Sequence, residues 1–289
     1  MKKFILLLTA LLMISFPALT QIKMCIYQED GTRTEYIAST IDSIVFEKSE
    51  DKGFVAKYFS VSDSKAVVFS HGNLQYHPAN KEWRFAPSQT DYIGENNTNL
   101  TATYNGWIDL FGWGTGKSPT NKSDDDNDYS RFVDWGVNKI DNDISNTWRT
   151  LTEDEWFYLL TKRKDASSLV GLATINGVFG LVLLPDYWLC PDGINFVNSL
   201  AQGYYQDYSQ KFSSYDWIKL ESTGAVFLPA AGNRSGTRCY GQQISGAYWS
   251  ATEDDYHSWK AYGLTFGKSS PVTSGISRSS GLSVRLVKE

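Results

Sequence analysis

The chain has 289 residues, a formal net charge of −5, 42% hydrophobic residues and 15% aromatic residues. It shows no basic cluster, which argues against nucleic acid or an anionic membrane surface as partner. Ten tryptophans, all after residue 80, together with scattered Gly, Asn, Ser and Asp, describe a loop-rich globular chain with an aromatic core.

Residues 1–20 read as a signal peptide. Lys2 and Lys3 form a positive n-region, residues 4–16 form an apolar h-region, and "ALT" precedes Gln21 with small residues where a signal peptidase cleaves. The apolar run is shorter than the roughly 20 residues a bilayer span needs, so no membrane insertion is expected once the signal is removed. Loss of Lys2 and Lys3 moves the formal charge from −5 to −7. Cys25 follows closely, but "IKMC" lacks the small residue of a lipoprotein signal, which disfavours a lipid anchor. The expected location is the periplasm, the cell surface or the extracellular space.

Residues 21–52 read as a small β module and linker. "EDGT" carries the Asp-Gly signal of a hairpin, and Ile41, Ile44 and Phe46 supply the apolar content of a last strand. "EKSEDKG", 47–53, is the charged linker. From residue 54 onward short strands alternate with turns: "AVVFS", "EWRFA", "GVFGLVLLP", "GAVFLPAAG", "GAYWSAT", "WKAYGLTF" and "GLSVRLV". Tyr262, Leu264 and Phe266 share one face of their segment, as do Leu282, Val284 and Leu286, and that period marks half-buried strands. Helices are expected over 153–163 and 214–222. Strands followed by helices and more strands, without regular alternation, predict an α+β class. The four segments 225–228, 247–252, 259–266 and 281–287 are expected to share one twisted antiparallel sheet, with both helices packed on it.

Several segments invite chemistry. In "LTEDEWFYLLTKR", Thr152 and Glu155 have capping-box spacing, and Glu153 and Asp154 suit the first turn of a helix, where the dipole favours carboxylates. These acids start a helix and are not read as catalytic. "GWGTGKS" misses a phosphate-binding loop because Phe111 stands where the first glycine is required. "DDDNDYSRFVDW" misses a calcium loop because Tyr129 and Trp135 replace its glycine and glutamate, although the acidic run 124–128 leaves weak calcium binding open. His71, His77 and His257 are not spaced with a further ligand to build a metal site. The three cysteines lack a C-x-x-C, and spacing leaves their pairing open, with Cys190 and Cys239 the favoured pair. No nucleophile, base and orienter assemble, so no catalytic residue, metal or cofactor is assigned.

Three segments together carry a resemblance. "RTLTEDEWFYL" (149–159), "GAYWSAT" (246–252) and "GLSVRLV" (281–287) resemble signature elements of the formylglycine-generating, or sulfatase-modifying-factor, proteins, a branch of the C-type lectin-like fold. With "GWIDLFGWGT", "FVDWG", "LLPDYWLCPDGINF" and "GAVFLPAAGNRSG", the stretch 54–289 is similar to exported bacterial domains of this branch, including variable ligand-displaying proteins of diversity-generating retroelements. The resemblance implies a C-type lectin-like α+β domain over 54–289. It does not extend to the chemistry: the closely spaced cysteine pair that binds copper in the oxidases is missing, as are Glu-Pro-Asn, Gln-Pro-Asp and Trp-Asn-Asp, the calcium-and-sugar tripeptides of lectins.

The functional expectation is therefore a non-enzymatic binding module recognising a protein or glycan. The runner-up is a copper oxidase of the formylglycine-generating kind, and a structural adhesin subunit is a third reading. The binding surface is expected on loops between the last strands: Asp255, Tyr256, His257 and Trp259 in "EDDYHSW", Arg278 in the long loop 267–281, and Asn233 and Arg234 in the turn 233–238.

Overall fold

A computed structural model describes residues 23–27, 33–40, 57–198, 210–267 and 270–289. The signal segment, the Asp30–Gly31 turn, the strand expected to hold Ile41, Ile44 and Phe46, and the linker 47–53 lie outside the described residues. Contacts divide the chain into Met1–Phe54 and Val55–Glu289. In the first unit, β1 (Lys23–Tyr27) pairs antiparallel with β2 (Arg33–Ile37), which runs into a 3-10 turn, Ala38–Thr40.

The second unit begins with β3 (Phe59–Ser60), β4 (Ala66–Phe69), β5 (Leu74–His77) and β6 (Glu82–Phe85). A long stretch of turns follows, then α1 (Glu153–Phe157), which continues as a π-helical turn over Tyr158–Lys162. Next come β7 (Val170–Ile175) and β8 (Val178–Leu183), joined by Asn176 and Gly177 at φ 48 and 83. Both residues of a two-residue hairpin turn of this hand need positive φ, which Asn-Gly tolerates best. β9 (Gln210–Phe212), α2 (Ser214–Ser222), β10 (Val226–Pro229), β11 (Asn233–Ser235) and β12 (Arg238–Tyr240) precede the last strands. These are β13 (Gly246–Glu253), β14 (Lys260–Phe266), β15 (Val272–Ser277) and β16 (Val287–Lys288).

The α+β, C-type lectin-like expectation is corrected here. Strand accounts for 34% and helix for 16%, with two α-helices and several small sheets among the described residues. The strands form a four-stranded sheet ordered β10-β8-β7-β9, three-stranded sheets β13-β14-β15 and β16-β4-β3, and two-stranded pairs β5-β6 and β11-β12. The four segments expected in one sheet are thus distributed over three. Period-2 patterning specifies which face of a strand is buried, not which strand lies beside it. β9 pairs parallel with β7, and the other strand pairs are antiparallel.

Aromatic side chains do the work that a large helical layer does elsewhere. One buried cluster joins Phe59, Phe69, Trp156, Leu181 and Leu228; a second joins Trp83, Phe111, Trp113, Trp135 and Trp249; a third joins Phe227, Trp217 and Leu220. Rings meet at angles, as in the perpendicular contact of Phe59 with Phe69 at 5.0 Å, the arrangement their quadrupoles favour. Gly136 is required where it stands, because a Cβ there would overlap the Trp148 carbonyl.

Both helices start as local chemistry dictates. Thr152 Oγ1 accepts from the Glu155 amide at 3.2 Å while Glu155 Oε2 accepts from the Thr152 amide at 2.9 Å. Arg149 adds two charged hydrogen bonds to the Glu155 carboxylate, at 2.7 and 2.8 Å. Ser213 and Asp216 form the same reciprocal cap on α2. Arg163, just past the π turn, folds inward: its Nε donates to Leu159 O at 2.8 Å, and its Nη1 donates to Leu184 O at 2.9 Å and to Asp186 Oδ1 at 3.1 Å.

The segment 281–287 is a set of crossings more than a strand. Leu282 bridges Phe111, Ser283 bridges Tyr248 and Val287 bridges Arg149, before β16 pairs with β4. Leu282, Val284 and Leu286 are buried as the alternation predicts, but so are Ser283, Arg285 and Val287. Both faces of this segment are interior.

Candidate functional site

The β13–β14 hairpin presents the loop 254–259. Its footing is rigid. Trp249 in β13 is buried and its indole N–H donates to Phe111 O at 2.6 Å. A register shift between Trp249 and Glu253 bends the strand just before the loop. Asp254 then turns the chain: one carboxylate oxygen accepts from the Tyr256 amide at 2.8 Å and the His257 amide at 3.1 Å, and the other lies 3.3 Å from His257 Nδ1. Burial of Asp254 opposes its ionisation, but those amides and the imidazole outweigh it and hold the carboxyl below its ordinary range.

On that footing Asp255, Tyr256, His257 and Trp259 all face solvent, with Tyr256 86% and Trp259 47% exposed. The His257 and Trp259 rings meet edge to face at 5.9 Å, and the Lys260 ammonium sits 4.4 Å above the Trp259 ring. The loop therefore exposes Asp255, Tyr256, His257 and Trp259, with His257 turned toward Asp254 and Lys260 lying over the Trp259 ring.

The other expected site residues lie differently. Arg278 is only 3% exposed. Its Nη2 donates to Glu253 Oε2 at 3.0 Å, its Nε to Lys260 O at 2.9 Å, and its guanidinium lies 4.4 Å over the Trp113 ring. It braces the base of the loop from beneath. Arg234 is fully buried in β11, donates through Nη1 to Gly236 O at 2.9 Å, and interacts with the Tyr129 hydroxyl. Asn233 is half-buried beside it. The stretch 267–281, read as loop from its small residues, contains β15, an outer strand zipped to β14 from Lys260–Ser277 to Thr265–Val272.

The acidic run 124–128 is engaged locally. Asp126 Oδ1 accepts from Ser277 Oγ at 2.6 Å and the Ser279 amide at 2.8 Å, and Asp125 accepts from the Asn127 amide. Among the described residues, no group of three or more His, Cys, Asp or Glu could hold a metal ion. Cys25, Cys190 and Cys239 are all free thiols, so the favoured Cys190–Cys239 pair is not formed. Burial pushes the Cys239 thiol up to about 11, and Cys190 donates to Ile194 O at 3.2 Å.

Two buried polar centres escape motif reading. Arg285 donates to Gln89 Oε1 and, at 3.3 Å, to Asn73 Oδ1, with no carboxylate among its hydrogen-bond partners in the described residues, and burial pulls its guanidinium down to about 10. Tyr248 completes this centre, accepting from Asn73 and donating to Pro229 O at 2.9 Å. Separately, Asp109 accepts from Asn97 Nδ2 at 2.8 Å and the Ile93 amide at 2.9 Å, and burial pushes its carboxyl up to about 6. The charge within "SVRLV" was the available sign of the first. Asp109 stands in the apolar run from Trp107 to Trp113, but no motif singles it out.

Compared with known families, curated proteins and solved structures, the chain matches none.

Proposed function

We propose that this chain is an exported, non-enzymatic binding module that recognises a protein or glycan ligand through the loop 254–259. The observation that carries the reading is the pairing of exposed Tyr256 and Trp259 with Asp255 and His257 on a loop whose turn and base are already hydrogen-bonded. Tyrosine and tryptophan give large contact area at small entropic cost, and a preordered loop loses little freedom on binding. Asn233 is the residue of the turn 233–238 that this proposal retains, because Arg234 and Arg278 are buried. Export rests on residues 1–20, and the motif resemblance to the formylglycine-generating proteins supports a relationship of sequence elements, without the architecture first attached to it.

A glycan array combined with affinity capture tests the reading. A Tyr256→Ala, His257→Ala, Trp259→Ala triple variant is expected to fold as the parent does and to lose at least tenfold in affinity for whatever ligand is found. A folded variant that binds undiminished places the ligand elsewhere. Stoichiometric, tight copper binding by the parent would favour the oxidase reading instead.

A further inference from the structure

We infer that the cleft at the β5–β6 hairpin is a binding site for an acidic saccharide, one bearing a carboxylate on its ring, such as a uronate. The cleft has a volume of about 460 Å³ and shares no residue with the loop 254–259, so the inference stands independently of that loop.

Its floor is a layered pair. The Arg84 guanidinium lies 3.7 Å over the Trp107 ring, and His77 meets the same indole edge-on at 5.1 Å. Arg84 is oriented from behind by the buried Gln75, whose Oε1 accepts from Arg84 Nε at 2.9 Å. That bond uses the one N–H that points back into the protein. The two terminal nitrogens of Arg84 and the indole N–H of Trp107 have no acceptor among the described residues. Planar, oriented and unspent, the guanidinium presents the fork that matches a carboxylate.

The rim adds charge. Lys81 and Lys139 are exposed at the mouth, facing Glu82 and Asp141. Both carboxylates are already partly occupied: Asp141 Oδ2 accepts from the Phe85 amide at 3.0 Å, and Glu82 Oε2 accepts from Asn80 Nδ2 at 3.3 Å. Lys81, Lys139 and Arg84 are set against Glu82 and Asp141, with Asp91 also acting on Arg84, so the charges balance and it is the oriented fork of Arg84 that selects a carboxylate. A sugar ring supplies hydroxyls for Asp141 and the indole N–H, and C–H groups to lie beside Arg84 against the half-buried Trp107 ring. Lys81 and Asp141 hold left-handed backbone, at φ 58 and 50, which fixes where these two rim residues sit.

The test is calorimetric titration of the full chain with a glucuronate-containing oligosaccharide, the neutral glucose oligosaccharide of equal length, and inorganic phosphate, all at low ionic strength. The acidic oligosaccharide is expected to saturate one site and to bind at least tenfold more tightly than the neutral one. Arg84→Gln should remove that preference by about tenfold, and Trp107→Ala should weaken both sugars. Lys139→Gln, at an exposed position, should weaken the acidic sugar about threefold and leave the neutral one unchanged. The inference is overturned if no saturable binding is seen, if acidic and neutral sugars bind equally, if phosphate binds as tightly as the uronate, or if Lys139→Gln and Arg84→Gln bind as the parent does.

Discussion

Replacing Arg163 by alanine should cost this protein about 3–5 kcal/mol of stability, the usual loss when one member of a buried ion pair is removed. The guanidinium is 1% exposed and the Asp186 side chain 19% exposed. Its loss strands the carbonyls of Leu159 and Leu184, which accept at 2.8 and 2.9 Å, and leaves Asp186 without its cation. A buried acceptor left unmet costs about 1–3 kcal/mol. Asp186 is not wholly abandoned, since it still accepts from the Ser60 amide at 2.8 Å and the Ser60 hydroxyl at 2.6 Å, which keeps the total from climbing higher. Urea unfolding of parent, Arg163→Ala, Asp186→Asn and the double variant measures the loss and the coupling. The two single losses should fail to add by about 0.5–3 kcal/mol, as expected for residues in contact. A loss under about 1 kcal/mol for Arg163→Ala, or strict additivity, would refute the claim that this pair organises the junction of the π turn with β8.

Asp109 makes stability depend on pH in an unusual direction. Burial raises its folded pKa to about 6, against about 3.9 in the unfolded chain, so the folded state holds the proton more tightly. Its contribution is fully present below about pH 4 and is lost as pH rises through 6, by roughly 3 kcal/mol. Asp109→Asn should flatten that slope in denaturation curves taken from pH 4 to 7, and an unchanged slope would show that the carboxyl does not titrate there. Thr152→Ala removes one half of the α1 cap and should cost about 1 kcal/mol, read as a lowered thermal midpoint. A midpoint equal to the parent's would mean that Arg149 and Glu155 hold the helix start unaided.

What could be read from the sequence was local. Thr152 and Glu155, three apart before an apolar stripe, announce a helix start whose hydrogen bonds need no distant partner. Asn176-Gly177, not picked out from the sequence above, carries an equally local signal for the β7–β8 hairpin. Pairing between distant segments follows no such code: β10 and β13 both read as buried strands, yet β10 pairs with β8 and β13 with β14. β15 is invisible for a related reason. Val272–Ser277 holds mostly small polar residues, and it is a strand because β14 lends it a ladder. At the candidate site, the exposed aromatics of 254–259 could be located from their place between two strands. The fate of Arg278 could not, because an arginine reads as surface until Trp113 and Glu253 are seen around it.

The crossings made by 281–287 set the order in which this molecule can become native. Asn73 and Arg285, which hydrogen-bond each other in the interior, are 212 apart in sequence. Leu74 and Ser70 likewise give their amides to Val284 and Leu286. The loop that must close before those contacts return any energy is nearly the length of the whole unit, and closure of this kind slows folding. Until 281–287 arrives, β4 has one neighbour instead of two and the Trp-rich cluster lacks Leu282, Val284 and Leu286. A chain in which 281–287 has not yet docked therefore keeps its aromatic interior open and exposed to self-association.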